Sequence, residues 1–84
     1  MSAETNSAIR EVLREHARLP IDPDTLDEQD DLFQAGMSSH ASVSVMLALE
    51  DRFDIEFPDA MLKRSAFESI AVIQSAVTQL REED

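Results

Sequence analysis

Cysteine is absent from the 84 residues, and so are tryptophan and tyrosine. Without thiols there is neither a disulfide framework nor a thiolate metal site, which fits a reducing compartment. The chain has only one glycine, Gly36, and three prolines, and runs of β-branched residues alternating with polar ones are missing. Plentiful Ala, Leu, Glu, Arg and Gln instead favour helix, so the expectation is an all-α fold. No apolar run reaches the ~20 residues that a membrane-crossing helix requires, and no signal peptide is recognised. These absences predict a soluble, cytoplasmic protein. A chain this short also buries only about 60% or slightly more of its unfolded surface, which leaves little room for an enclosed active site. Residues 1–84 are read as a single domain, with no internal repeat and no low-complexity segment.

Bases are scarce too: seven Lys and Arg stand against 18 Asp and Glu, for a net charge of −11. The deficit is local. Between Asp22 and Asp59 eleven carboxylates (Asp22, Asp24, Asp27, Glu28, Asp30, Asp31, Glu50, Asp51, Asp54, Glu56, Asp59) face the single base Arg52. Such a field repels nucleic acid and anionic lipid, and it attracts basic protein surfaces, speeding encounters by roughly ten- to a thousandfold at low salt. The plainer reading is solubility alone. Self-repulsion argues for a monomer. The spacing of Asp22 and Asp24 suggests a calcium loop, but Pro23 intervenes, Asp27 stands where that loop needs glycine, and Phe33 where it needs glutamate.

Along the chain, Met1–Ser7 reads as a frayed start, with Thr5, Asn6 or Ser7 available as caps. A first helix runs to about Ala17 on the face Ile9, Val12, Leu13 and Ala17. Arg10, Arg14 and Arg18 form a stripe at spacing four, expected to be a solvated face weakly paired with Glu11 and Glu15. His16 falls at the margin of the apolar face. Pro20 and Pro23 keep Leu19–Asp31 from continuing as helix, and Ile21, Leu26 and Leu32 are its candidate anchors. Pro58 opens a short helix to about Lys63. Ser65 and Glu68 fit a capping box for a last helix carrying Phe67, Ile70, Ile73, Val77 and Leu80 inward, with Glu82–Asp84 loose.

The most informative stretch lies between, from Asp30 to Phe53. It turns at Gly36 and brings Ser38 and Ser39 to the start of a helix predicted over Ser39–Phe53. If Ser38 is the N-cap, its hydroxyl is occupied by a backbone N–H near Ala41. Ser39 is then the first helical residue, its oxygen free and near the positive pole of the helix dipole, where a phosphodiester is well placed. Val43, Met46, Leu49 and Phe53 are expected inward with Val45 flanking. His40, Ala41, Ser44, Leu47, Glu50 and Asp51 are expected outward, Leu47 as a knob for a partner.

Asp31-Leu32, Gly36-Met37-Ser38-Ser39, and then Leu49-Glu50-Asp51-Arg52-Phe53-Asp54-Ile55-Glu56-Phe57-Pro58-Asp59 resemble the acyl carrier protein family over nearly the whole chain. The resemblance implies a four-helix acyl-carrier-like bundle, three longer helices and a short third one. It implies covalent 4'-phosphopantetheine on Ser39, with Gly36, Ser38 and His40 around the attachment, and a phosphopantetheinyl transferase as partner. It also implies a partner face on Ala41, Ser44, Leu47, Glu50 and Asp51. Ser38-Ser39-His40 replaces the family's usual Asp-Ser-Leu, and Ala41 and Ser44 replace acidic residues of the members serving fatty acid synthesis. The pattern is closer to small free-standing aminoacyl carrier proteins. Those are charged by amino acid ligases related to class II aminoacyl-tRNA synthetases and hold the amino acid as a thioester for a downstream acceptor enzyme.

Three function classes compete. An enzyme is disfavoured, because Ser39 and His40 diverge on a helix and no third orienting group is evident. An acidic adaptor without a prosthetic group accounts for the bundle but not for a turn that presents a free serine. A carrier accounts for both, with an aminoacyl cargo preferred and fatty acyl or polyketide-type intermediates as the alternative.

Overall fold

The computed structural model describes residues 3–82. Three long helices, α1 (Ala3–His16), α3 (Ser39–Phe53) and α4 (Ile70–Glu82), enclose the core, and a one-turn helix, α2 (Leu32–Ala35), precedes α3. Three 3-10 turns, Pro23–Thr25, Asp59–Met61 and Arg64–Phe67, make up the rest, and no strand occurs among the described residues. The all-α expectation with three longer helices holds, but the short α-helix lies at Leu32–Ala35, before the second long helix, where none was expected. Helix α1 already begins at Ala3, ahead of the expected caps. Glu82, expected to be loose, is the last residue of α4, and the expectations for Met1, Ser2, Glu83 and Asp84 lie outside the described residues.

One core joins the elements. Ile9 and Leu13 from α1, Leu32 from α2, Val45 and Leu49 from α3, and Ile70, Ile73 and Val77 from α4 are fully buried. Each such side chain contributes roughly 1.5–3 kcal/mol relative to exposure. Phe57 and Phe67 meet edge to face at 5.3 Å between ring centroids and close one end.

The long connection after α1 is anchored by polar as well as apolar contacts. Arg10 Nη1 donates to the carbonyls of Pro23 (2.6 Å) and Leu26 (2.9 Å), while its Nε donates to Asn6 Oδ1 at 2.7 Å. Asn6 in turn donates to Gln74 of α4. Arg14 reaches Asp22 (3.2 Å) and Asp24 (2.7 Å), and Glu11 pairs with Arg52 of α3 at 3.0 Å. Arg10 and Arg14 therefore tie α1 to the connection instead of pairing with Glu11 and Glu15, while Arg18 falls beyond the helix end, in the left-handed conformation at φ 57°. Leu26 and Leu32 anchor as expected, but Ile21 is exposed and Pro23 is buried in its place. Two backbone bonds cross-link the end of this connection to the start of α4: Leu32 N–H to Glu68 O (2.7 Å) and Ala71 N–H to Glu28 O (3.0 Å).

Helix α4 begins later than the capping-box reading placed it. Arg64–Phe67 forms a 3-10 turn, and the Ser69 hydroxyl, not that of Ser65, accepts from Val72 N–H at 3.2 Å. Its inward face is the expected one. The short helix expected over Pro58–Lys63 is reduced to the 3-10 turn Asp59–Met61.

The face of α3 is the main correction. Ala41, Val45 and Leu49, at spacing four, are buried, whereas Val43 is 52% exposed and Met46 and Phe53 are only partly buried. Val43 lies about 200° around the helix from both Ala41 and Val45, so it cannot share their face. The small Ala41, read as outward, allows α3 to approach the core closely.

Candidate functional site

The turn before α3 is built by consecutive caps. Asp31 Oδ1 accepts from Phe33 N–H (2.9 Å) and Gln34 N–H (3.2 Å), which starts α2. Gly36 ends it at φ 128°, a conformation that side chains rarely adopt. Space is limiting as well: a Cβ on Gly36 would stand 2.7 Å from Pro20 Cδ. Met37 then drops into the core, 2% exposed, with its N–H bonded to Leu32 O at 3.0 Å. That anchor fixes where the next two residues emerge.

Three serines surround the start of α3, and the structure separates their roles. Ser38, in extended backbone, is the N-cap, and its Oγ accepts from Ala41 N–H at 3.0 Å. Ser42 donates its hydroxyl to Ser39 O at 2.6 Å. Ser39 is exposed, and among the described residues its hydroxyl makes no hydrogen bond. Only this oxygen of the three is left unengaged, at the end of a 15-residue helix whose dipole favours a negative group.

Ser39 also lines an open groove of about 270 Å³ with Phe33, Ser42, Val43, Met46, Leu62, Lys63, Arg64 and Phe67. The walls are mostly apolar. Arg64 sits over Phe33, its guanidinium carbon 4.0 Å from the ring centroid. Sequence reasoning missed Phe33, Leu62, Lys63 and Arg64 here, because no local pattern brings the segment after Pro58 beside Ser39.

The remaining candidates separate into two groups. His40, Ser44, Leu47 and Asp51 are exposed, Leu47 at 55%. Ala41 is buried and faces away from any partner, and Glu50 turns its carboxylate inward to accept from Phe57 N–H at 2.8 Å. Gly36 and Ser38 shape the turn, their polar groups being taken up by the backbone. No group of three or more His, Cys, Asp or Glu side chains among the described residues is placed to hold a metal ion. No described helix is long and apolar enough to cross a membrane.

An exposed, unengaged serine hydroxyl at a helix N-terminus, beside a groove bearing two cations, suits attachment of a phosphodiester-linked group. A family model described as a phosphopantetheine attachment site matches residues 7–77, and the chain belongs to that family, whose cofactor is covalent 4'-phosphopantetheine. Within it, the chain is 49% identical over 72 residues to an aminoacyl carrier protein of Agrobacterium fabrum, covering 86% of this chain and 87% of that one. A carrier protein from Agrobacterium tumefaciens is similarly close. In the crystal structure where it is complexed with an engineered Bradyrhizobium japonicum glycine:[carrier protein] ligase and ATP, the TM-score is 0.88 at 46% identity, over 90% of this chain and 99% of that one. A solution structure from Agrobacterium tumefaciens matches with a TM-score of 0.73 at 45% identity, over 92% and 93% of the two chains.

Proposed function

We propose that residues 1–84 act as one aminoacyl carrier domain in which Ser39 bears the 4'-phosphopantetheine arm. The single observation supporting Ser39 is the contrast between its unengaged hydroxyl and the occupied ones of Ser38 and Ser42. The arm supplies a terminal thiol, which the chain itself lacks, to hold an activated amino acid as a thioester. What the protein's own residues supply is position: Met37 and Gly36 fix the turn, Ser38 caps α3, and the exposed Ser44, Leu47 and Asp51 lie along the helix leading away from Ser39.

The partners are a phosphopantetheinyl transferase, an amino acid:carrier protein ligase resembling a class II synthetase, and a downstream acceptor. Catalysis belongs to them. A docked carrier holds its cargo at an effective concentration on the order of millimolar. Acidic charge steers encounter with basic partners, and higher salt weakens it. The absence of thiols and the acidic surface support a cytoplasmic monomer.

Co-expression with a phosphopantetheinyl transferase, read by intact mass, tests the attachment: one arm is added to the wild type and none to Ser39→Ala. Modification that persists in Ser39→Ala moves the attachment elsewhere. Incubation of the holo protein with ATP, amino acids and the ligase yields a hydroxylamine-labile aminoacyl adduct. Charging only with fatty acyl or malonyl groups favours the acyl alternative instead.

A further inference from the structure

Of the seven Lys and Arg residues in this chain six are arginine, and Lys63 is the only lysine. The difference is chemical. A guanidinium stays protonated and is no nucleophile, whereas a lysine side chain that sheds its proton presents a primary amine able to attack a carbonyl carbon. Lys63 is free to do so. It is exposed, and among the described residues no carboxylate lies within 4.0 Å of it, while Arg14 and Arg52 are both paired. Its backbone is fixed all the same: the Lys63 carbonyl accepts from Ala66 N–H at 3.0 Å, and the neighbouring Arg64 is held over Phe33. The one side-chain amine is therefore anchored at its root and loose at its tip, lining the same opening as Ser39.

Resting on the reading of Ser39 as the root of an arm that carries an aminoacyl thioester, we propose that Lys63 is an aminoacylation site of the carrier itself. In the step, the unprotonated Nζ attacks the thioester carbonyl of the cargo. The N–C bond of an amide forms, the C–S bond breaks, and the departing sulfur takes up the proton that nitrogen loses, giving back the free thiol. No further reactant is needed. Tethering supplies the rate: a cargo swinging from Ser39 meets Lys63 at an effective concentration on the order of millimolar, without an encounter in solution. The amide is not reversed by thiol, so each transfer withdraws one amino acid from the shuttle. Lys63 thus limits how long a charged carrier can wait for its acceptor, and a docked partner that draws the arm into its own site takes the thioester out of the amine's reach. Arginine at the other six positions keeps basic charge on the surface without adding competing nucleophiles.

The test loads the arm without a ligase: the transferase attaches alanyl-phosphopantetheine directly from alanyl-coenzyme A, and intact mass verifies the loading. The loaded protein is freed of transferase, incubated over a range of pH, and treated with hydroxylamine, which cleaves a thioester and spares an amide. Peptide mapping then locates the mass that is retained. The expected result is a hydroxylamine-resistant alanyl adduct on Lys63, formed at a first-order rate that rises with pH and is independent of protein concentration. Lys63→Arg, which keeps the charge, loses that adduct and holds its thioester several-fold longer. An adduct that stays wholly hydroxylamine-labile, that forms equally in Lys63→Arg, or whose rate scales with protein concentration overturns the proposal. A failure of the Ser39 reading shows separately, in the first mass spectrum, as an arm still attached to Ser39→Ala.

Discussion

Ser38 Oγ lies 3.0 Å from the amide nitrogen of Ala41, while the neighbouring Ser39 hydroxyl is left without a partner among the described residues. One serine is a structural cap and the other is available for chemistry. Ser38→Ala should therefore lower stability by about 0.5–2 kcal/mol, the usual cost of losing an N-cap, yet still accept the arm. Chemical denaturation and intact mass on the same sample check both halves.

Gly36→Ala should be more damaging than its size suggests. The φ of 128° is strained for alanine, and the new methyl would meet the ring of Pro20 at 2.7 Å. A loss of more than about 1 kcal/mol is expected. Slower modification by the transferase should accompany it, since the turn that presents Ser39 must shift.

Of the expected partner face, Glu50 is structural, and the exposed Leu47 is the residue proposed to dock. Phe57, 5% exposed, has its N–H bonded to Glu50 at 2.8 Å, so Glu50→Ala should cost about 1–3 kcal/mol while Glu50→Gln, which keeps an acceptor, costs far less. Leu47→Ala should change stability by no more than about 0.5 kcal/mol but slow aminoacyl charging. Charging at wild-type rate in Leu47→Ala would remove Leu47 from the docking face.

Acid should weaken the anchor between α1 and the connection. The Asp24 backbone N–H, and next to it the Arg14 guanidinium, hold the Asp22 carboxyl below its ordinary value of 3.8. A depressed carboxyl pKa contributes stability that is fully present above 3.8 and is lost as pH falls through the lowered value. Asp22→Asn preserves the capping geometry but not the charge. Its melting temperature should be below wild type at neutral pH, with the gap closing as the pH is taken under 3.8.

The start of α3 was legible in the sequence because Ser38 carries a local capping signal, and the structure ends the helix where Asp54 takes the left-handed conformation. Its rotation was not. Apolar residues occur all around it, and only packing against α1 and the shared core decides that Ala41, Val45 and Leu49 go in while Val43 and Leu47 stay out. The same limit applies to Arg14 and Arg10, whose partners lie on a connection whose path is set by the core rather than by neighbouring residues. The exposed, unengaged hydroxyl of Ser39 was legible because a turn and a cap are local. The groove beside it was not, because it forms only when the Lys63 segment folds back over α3.

The pair of backbone bonds between Glu28–Leu32 and Glu68–Ala71 has a dynamic consequence. The serine turn cannot breathe independently, because parting one bond loosens its twin, and the amides of Leu32 and Ala71 should exchange with solvent at a common rate. A shuttle handed from enzyme to enzyme thereby keeps one rigid profile, and whatever wandering the cargo needs is delegated to the tether.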